Sequence, residues 1–408
     1  MGFNAIVGQS GGPTAAVNAT LAGVLQACQK HGCEHVYGMR HGVEGLLKGQ
    51  VVDLNEVCGS ALEIELLKRT PSAYLGSCRC RLPGYLENQD VYTKLFSILE
   101  RLDVGFFFYI GGSNSMDTIM KLSDYARKVG SPIRFVGIPK TIDNDLVGTD
   151  HTPGYGSAAK YVATVMKELC RDAAVYSKKS VTIVEVMGRD AGWLTAAAAL
   201  ARGEDCEGVD LICLPEVPFD MERFVDKVKS LHKNRPALVI AVAEGIKTED
   251  GRYVAELAGG VPEEDDFGQK HLSGAARYLC DVIRDRLHVK TRAVELSVLQ
   301  RCASHIASRT DVTEAYQVGG AAVTAAFEGS TGVMISLRRL SNDPYQCVTD
   351  LVDIHQSANQ KKRIPQEWIN DYKNGVTHAF IDYVRPLIQA ELTPVYIDGL
   401  PRHIYIKE

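Results

Sequence analysis

Nowhere in the 408-residue chain does an apolar run approach the roughly 18 residues that a membrane-spanning helix needs. A basic surplus is missing as well. Lys and Arg number 45 against 50 Asp and Glu, a net charge of -5 that excludes a general binder of nucleic acid or membrane surfaces, so any anion site must be local. The 11 cysteines are an odd set without Cys-x-x-Cys spacing, and the nearest pair, Cys78 and Cys80, flanks Arg79. Reduced thiols explain that pattern better than disulfides or zinc. None of the histidines has zinc-ligand spacing. A basic, then apolar, leader is lacking, and Ile6 spoils the acylation pattern after Gly2, so the expected location is cytoplasmic. Short repeats and low-complexity segments are absent too.

What the chain does contain is an alternation of short β-branched or aromatic runs with longer helical patterns. The runs are Phe3 to Val7, Val104 to Ile110, Ile133 to Ile138, Val181 to Val186, Val209 to Leu214 and Ala237 to Val242. This predicts an α/β fold of βα units with mainly parallel sheets, and the length suggests about two domains. The polar stretch Pro262 to Asp266 reads as an exposed loop before a helix starting near Lys270, and the pattern becomes less regular beyond about Ser341.

The most informative segment follows the third of these runs: Pro139-Lys140-Thr141-Ile142-Asp143-Asn144-Asp145. One carboxylate can take a proton from an attacking hydroxyl, a second can hold a divalent metal, and a lysine can neutralise phosphate oxygens. Alone, the segment reads equally as a solvated turn. Two glycine-rich turns alter the balance. The first run leads into Gly8-Gln9-Ser10-Gly11-Gly12-Pro13-Thr14, and the second into Gly111-Gly112-Ser113-Asn114-Ser115, with Ser115 a cap or a phosphate contact. Glycines after a strand let backbone amides approach an anion, so a phosphate pocket is the better reading of the three together. Val184-Glu185-Val186-Met187-Gly188-Arg189 places a guanidinium at another strand end, suited to two-pronged phosphate contact or to an ion pair with Asp190. Arg79, Arg292 and Arg301 add further guanidinium groups, whereas Lys178, Lys179 and the run Lys361-Lys362-Arg363 read as solvated faces.

Gly-Gly-x-x-Ser, Pro-Lys-Thr-Ile-Asp-Asn-Asp and Val-Glu-Val-Met-Gly-Arg, in that order, resemble the 6-phosphofructokinase superfamily, and Lys140 looks like its pyrophosphate-dependent branch, since the ATP-dependent branch has glycine there. The resemblance runs from Ser10 to at least Arg301. It implies two Rossmann-like domains with the active site in the cleft between them: residues 1–155 plus about 299–345 for the phosphoryl donor, and about 156–298 plus 346–408 for the sugar phosphate. The implied reaction is reversible glycolytic phosphorylation of fructose 6-phosphate at its 1-hydroxyl by pyrophosphate with Mg²⁺. The ATP-dependent reaction and a non-catalytic sugar-phosphate-binding or regulatory paralogue are the alternatives. Asp143 matches the catalytic base and Lys140 meets pyrophosphate. Gly11, Gly12, Arg79, Gly112, Ser113, Asn114 and Ser115 fall on the donor side; Thr141, Asp145, Met187, Gly188, Arg189, Glu244, Arg292 and Arg301 fall on the substrate side. Asp143 and Asp145 are the implied metal carboxylates, with Ser113 where the family carries an aspartate. Val298 stands at a sugar-phosphate His or Tyr position, and Ser180 at a subunit-bridging arginine position near Lys178 and Lys179. Arg292 is expected from a neighbouring subunit, which implies a homodimer or homotetramer.

Overall fold

The computed structural model describes residues 4–258 and 272–406. Phe3, the Pro262 to Asp266 loop and Lys270 lie outside these residues, and the helix expected near Lys270 runs over Ala275–Leu287. Among the described residues, eleven strands build the two main sheets: β1 (Asn4–Gln9), β2 (Val36–Met39), β3 (Val51–Asp53), β4 (Val104–Gly111), β5 (Arg134–Pro139), β6 (Ser180–Val186), β7 (Leu211–Cys213), β8 (Ala237–Ala243), β9 (Lys290–Glu295), β10 (Val333–Asn342) and β11 (Tyr345–Asp353). The larger sheet has the order β11-β10-β5-β4-β1-β2-β3, and the smaller β7-β8-β6-β9. The smaller sheet is parallel throughout; in the larger one only the outer pairs β2–β3 and β10–β11 are antiparallel.

Continuous apolar runs form the central strands because both faces are covered. Phe106 and Phe108 of β4 join the core under helices Val17–Lys30 and Arg309–Phe327, while Phe107 and Tyr109 face the opposite core with Met116 and Ile119 of helix Ser113–Val129. Burying each such ring removes enough apolar surface from water to stabilise the fold by about 1.5–3 kcal/mol.

The chain beyond Ser341 is more ordered than its pattern suggests. Residues 345–353 form β11 at the edge of the larger sheet rather than adding to the smaller one. Phe380 and Tyr383 of helix His378–Val384 then pack with Trp193, beside the smaller sheet. These residues escape a strand-and-helix reading because Arg338, Asp350 and their neighbours are exposed polar groups on an edge hairpin, where only one face needs to be apolar.

Helices Val17–Lys30 and Arg309–Phe327 approach each other through glycine. A Cβ on Gly319 would lie 2.2 Å from the Thr20 carbonyl oxygen, whereas one on the adjacent Gly320 would meet nothing nearer than the Gly23 oxygen at 4.0 Å. The two neighbours should therefore respond oppositely to alanine. Gly319→Ala should lower the thermal midpoint through overpacking of about 1–3 kcal/mol, and Gly320→Ala should raise it through about 0.4–1 kcal/mol of reduced unfolded-state entropy. Equal shifts in a thermal melt would count against this packing.

Candidate active site

Loops from the carboxyl ends of both sheets converge on a cleft of about 390 Å³. Strand register brings them together. Gln9 of β1 lies beside Ile110 of β4, and Gly111 beside Pro139 of β5, so the two glycine turns and the acidic loop leave adjacent strand ends. Backbone bonds continue the alignment past the strands, from Ser10 N to Ile110 O at 2.9 Å and from Lys140 N to Gly111 O at 3.0 Å. In the smaller sheet Val186 pairs with Ala243, and Glu244 N donates to Val186 O at 2.9 Å, which sets Met187 beside Glu244.

Gly11, Gly12, Arg79, Gly112, Ser113, Asn114, Ser115, Lys140, Thr141, Asp143, Asp145, Met187, Arg189, Glu244 and Arg301 all line the cleft. Gly188 sits between two lining residues and donates its N–H to Glu244 Oε1 at 3.3 Å. Arg292 is not brought to the cleft within one chain: it lies on the exposed edge strand β9, pairs with Asp172 at 3.1 Å, and borders a separate cavity with Lys178, Lys179, Ser180 and Lys290. Val298 is half exposed and is likewise not among the lining residues. Ser115 is no helix cap; its hydroxyl bonds Ser10 Oγ at 2.6 Å and ties the two glycine turns together.

One reading of charge gains a partner and another is corrected for Lys362. Asp190 is paired with Lys361, and both line the cleft together with Asn359. Lys362 is desolvated, its ammonium donating to the carbonyls of Thr149 (3.2 Å) and Asp150 (2.6 Å), and burial brings its pKa down to about 8. Lys362 is thus not part of a solvated face, whereas Lys361 and Arg363 remain exposed. Composition could not reveal this, because the segment reaches the cleft only after the chain has crossed both sheets.

Lys140 is almost wholly buried, and its Nζ donates to Gly12 O at 2.6 Å. Gly11 makes room for it: at φ +76°, a Cβ there would stand 3.3 Å from Nζ. Burial brings Lys140 down to about 8; Asp143 pulls upward, and Arg301 and Arg79 push down. Burial raises Asp143 despite the opposing pull of Lys140, and burial together with Asp143 pushes Asp145 up to about 7. Glu244 is likewise raised to about 7, chiefly by burial. The lining therefore sets Arg79, Lys140, Arg189, Arg301 and Lys361 against four acidic groups, three of which resist ionisation. Anions, or a divalent cation bridging the carboxylates, relieve that arrangement.

Behind the acidic loop lies a buried polar network that the sequence reading missed. Asn144, in the left-handed region at φ +53°, donates to Tyr383 Oη at 2.9 Å and accepts from Thr152 N at 3.0 Å. Tyr383 donates onward to Asp150 O at 2.7 Å, and Arg339 Nη2 holds the Asp150 carboxylate at 2.8 Å. His151 bridges Asp150 and Glu314 at 2.8 and 2.7 Å, and Tyr345 donates to Glu314 at 2.6 Å. Cys347 lies beside this cluster, but burial raises its thiol to about 12 and both imidazole nitrogens are engaged, so the group is a structural network rather than a metal centre.

The phosphofructokinase family pattern matches residues 4–326. The chain is 40% identical over 405 residues to a pyrophosphate–fructose 6-phosphate 1-phosphotransferase of Methylococcus capsulatus, covering 98% of this chain and 95% of that protein. It is 37% identical over 403 residues to the protein of the same name from Halomonas elongata, covering 98% and 95%. The crystal structure of a pyrophosphate-dependent phosphofructokinase from Nitrosospira multiformis superimposes with a TM-score of 0.90 at 37% identity, over 99% of this chain and 96% of that one.

The network's charge gives a pH signature. Burial lowers the His151 pKa, but Glu314 and Asp150 outweigh it and the net shift is upward from 6.5. A raised folded-state pKa contributes stability that is full below the unfolded value and is lost as pH rises through the folded one. Glu314→Gln should therefore cost more stability in urea unfolding at pH 6 than at pH 9. An identical cost at both would remove the protonated His151 from the network.

Proposed function

This chain belongs to the phosphofructokinase family, and from that premise we propose that it transfers a phosphoryl group from pyrophosphate to the 1-hydroxyl of fructose 6-phosphate, giving fructose 1,6-bisphosphate and phosphate. The observation that carries this reading is Lys140: a buried ammonium of the acidic loop, bonded to the Gly12 carbonyl of the first glycine turn, on what we read as the donor side of the cleft. A compact point charge there suits a small polyanion and takes up space that a longer nucleotide chain would need.

In the reaction, the sugar's 1-oxygen attacks the nearer phosphorus of pyrophosphate, the bridging P–O bond breaks, and phosphate leaves with the bond's electrons. Asp143 takes the hydroxyl proton, and the upward pull of burial on its pKa makes it a better acceptor than an ordinary carboxylate. Gly11, Gly12, Gly112, Ser113, Asn114 and Ser115, with Arg79, hold the donor. Met187, Gly188, Arg189, Glu244 and Arg301 orient the sugar phosphate, together with Thr141 and Asp145.

A divalent cation, Mg²⁺ in our reading, fits the oxygen-only donor set of Asp143 and Asp145, whose raised pKa values mark carboxylates short of positive charge. When bound, it would neutralise phosphate oxygens; Ser113 contributes a hydroxyl and no charge. The strand β9 edge with Arg292, Lys178 and Lys179 would meet a second copy, making the protein a homodimer or homotetramer whose Arg292 reaches the neighbour's sugar phosphate. The donor-binding unit is built on the larger sheet and the sugar-phosphate unit on the smaller one.

With purified protein, fructose 6-phosphate and Mg²⁺, kcat/KM should be higher with pyrophosphate than with ATP, and Lys140→Gly should narrow the gap. Equal or better use of ATP by the wild type would overturn the donor assignment. Fructose 6-phosphate binding without turnover on either donor would instead point to a non-catalytic paralogue. Asp143→Asn should lower kcat by roughly 10²- to 10⁴-fold while the circular dichroism spectrum stays unchanged; full turnover in that variant would exclude Asp143 as the base.

A further inference from the structure

The cleft holds one cation that neither the sequence motifs nor the catalytic assignment above uses. Lys361 comes from the segment following helix Ile354–Ser357, far outside the motif-bearing strands, yet it lines the cleft and meets Asp190 beside Arg189. Half-exposed lysines are ordinarily solvated and mobile. This one is carried on a strap fixed from several sides. Ser357 Oγ donates to Val147 O at 3.0 Å, and Asn359 Nδ2 donates to Asp117 Oδ1 at 2.9 Å. Lys362 N donates to the carbonyl of Asp145 itself at 2.7 Å, and Trp193 Nε1 donates to Lys362 O at 3.1 Å. The backbone on either side of Lys361 is therefore tied to the acidic loop and to the wall of the smaller sheet, so the ammonium reaches the cleft from a preset position. Its charge also acts on both Asp143 and Asp145, favouring their ionised forms.

We propose that Lys361 is a catalytic contact to the phosphoryl group in transit: Asp190 holds the ammonium ready between turnovers, and in the reaction it turns to the equatorial oxygens of the group passing from pyrophosphate to the sugar. The inference rests on the pyrophosphate-dependent reading above. The location follows from the neighbours, since Lys361 lies between the Asp143–Asp145 loop and Arg189–Asp190, the two walls between which the phosphoryl group must pass. With five cationic side chains against four acidic ones, the lining carries positive charge that the phosphate groups of the two substrates would offset.

The test compares wild type, Lys361→Met and Lys361→Arg with pyrophosphate, fructose 6-phosphate and Mg²⁺, reading kcat, both KM values and the thermal midpoint. At 47% side-chain exposure, neither substitution empties a core. The expected result is a kcat reduced about 10²-fold in the Met variant, with the KM for fructose 6-phosphate and the midpoint little changed, and substantial recovery of kcat in the Arg variant. An undiminished kcat in the Met variant, a loss confined to the KM for fructose 6-phosphate, or an Arg variant as slow as Met would each overturn the proposal. A wild type inactive with pyrophosphate would sink the functional reading and this inference together, whereas an active wild type matched by an equally active Met variant would sink the inference alone.

Discussion

Two desolvated carboxylates held one residue apart, Asp143 and Asp145, are the constraint from which the cleft is built. Burial hinders the ionisation of both, and the charge of Asp143 hinders that of Asp145 further. The loop keeps them there because Asn144, between them, is wholly buried in a left-handed conformation, with its side chain bonded to Tyr383 and to Thr152 N. Asparagine tolerates that backbone region better than most residues, and its amide satisfies donors and acceptors that burial would otherwise leave unpaired.

The cations around the loop follow from the same electrostatics. Lys140 would be costly to bury alone, but Asp143 attracts its charge and the Gly12 carbonyl accepts a hydrogen bond from it. Burial, with Arg301 and Arg79 adding to it, pushes Lys140 toward its neutral form, so this part of the cleft gathers like charges that polyanionic phosphate would offset. The protein as a whole is acidic, and this local inversion of sign is what lets it take an anionic ligand without a basic surface.

The segment after Ser341 joins the two halves of this design. It adds an edge hairpin to the larger sheet, passes the cleft with Asn359 and Lys361, buries Lys362 against the loop carbonyls, and closes on Trp193 with Phe380 and Tyr383. Loop, strap and terminal helix are thus one hydrogen-bonded body, and an acidic loop that would repel itself in isolation is held open by residues more than two hundred positions away.

The sequence by itself determined the α/β class, the parallel central strands and the three motifs, because apolar runs and glycine turns are local patterns that each βα unit must satisfy on its own. It determined Asp143, Lys140 and Arg189 as candidates for the same reason: their chemistry is concentrated in a few consecutive residues following a strand. It did not determine Lys361, Asn359 or the pairing of Asp190, nor the network through His151, Glu314, Tyr345 and Tyr383. Those side chains are ordinary in their own neighbourhoods and acquire meaning only from partners distant in the chain. Whether a lysine is a solvated face or a cleft cation is decided by where its backbone is anchored, and only the tertiary structure ties Lys362 N to the carbonyl of Asp145.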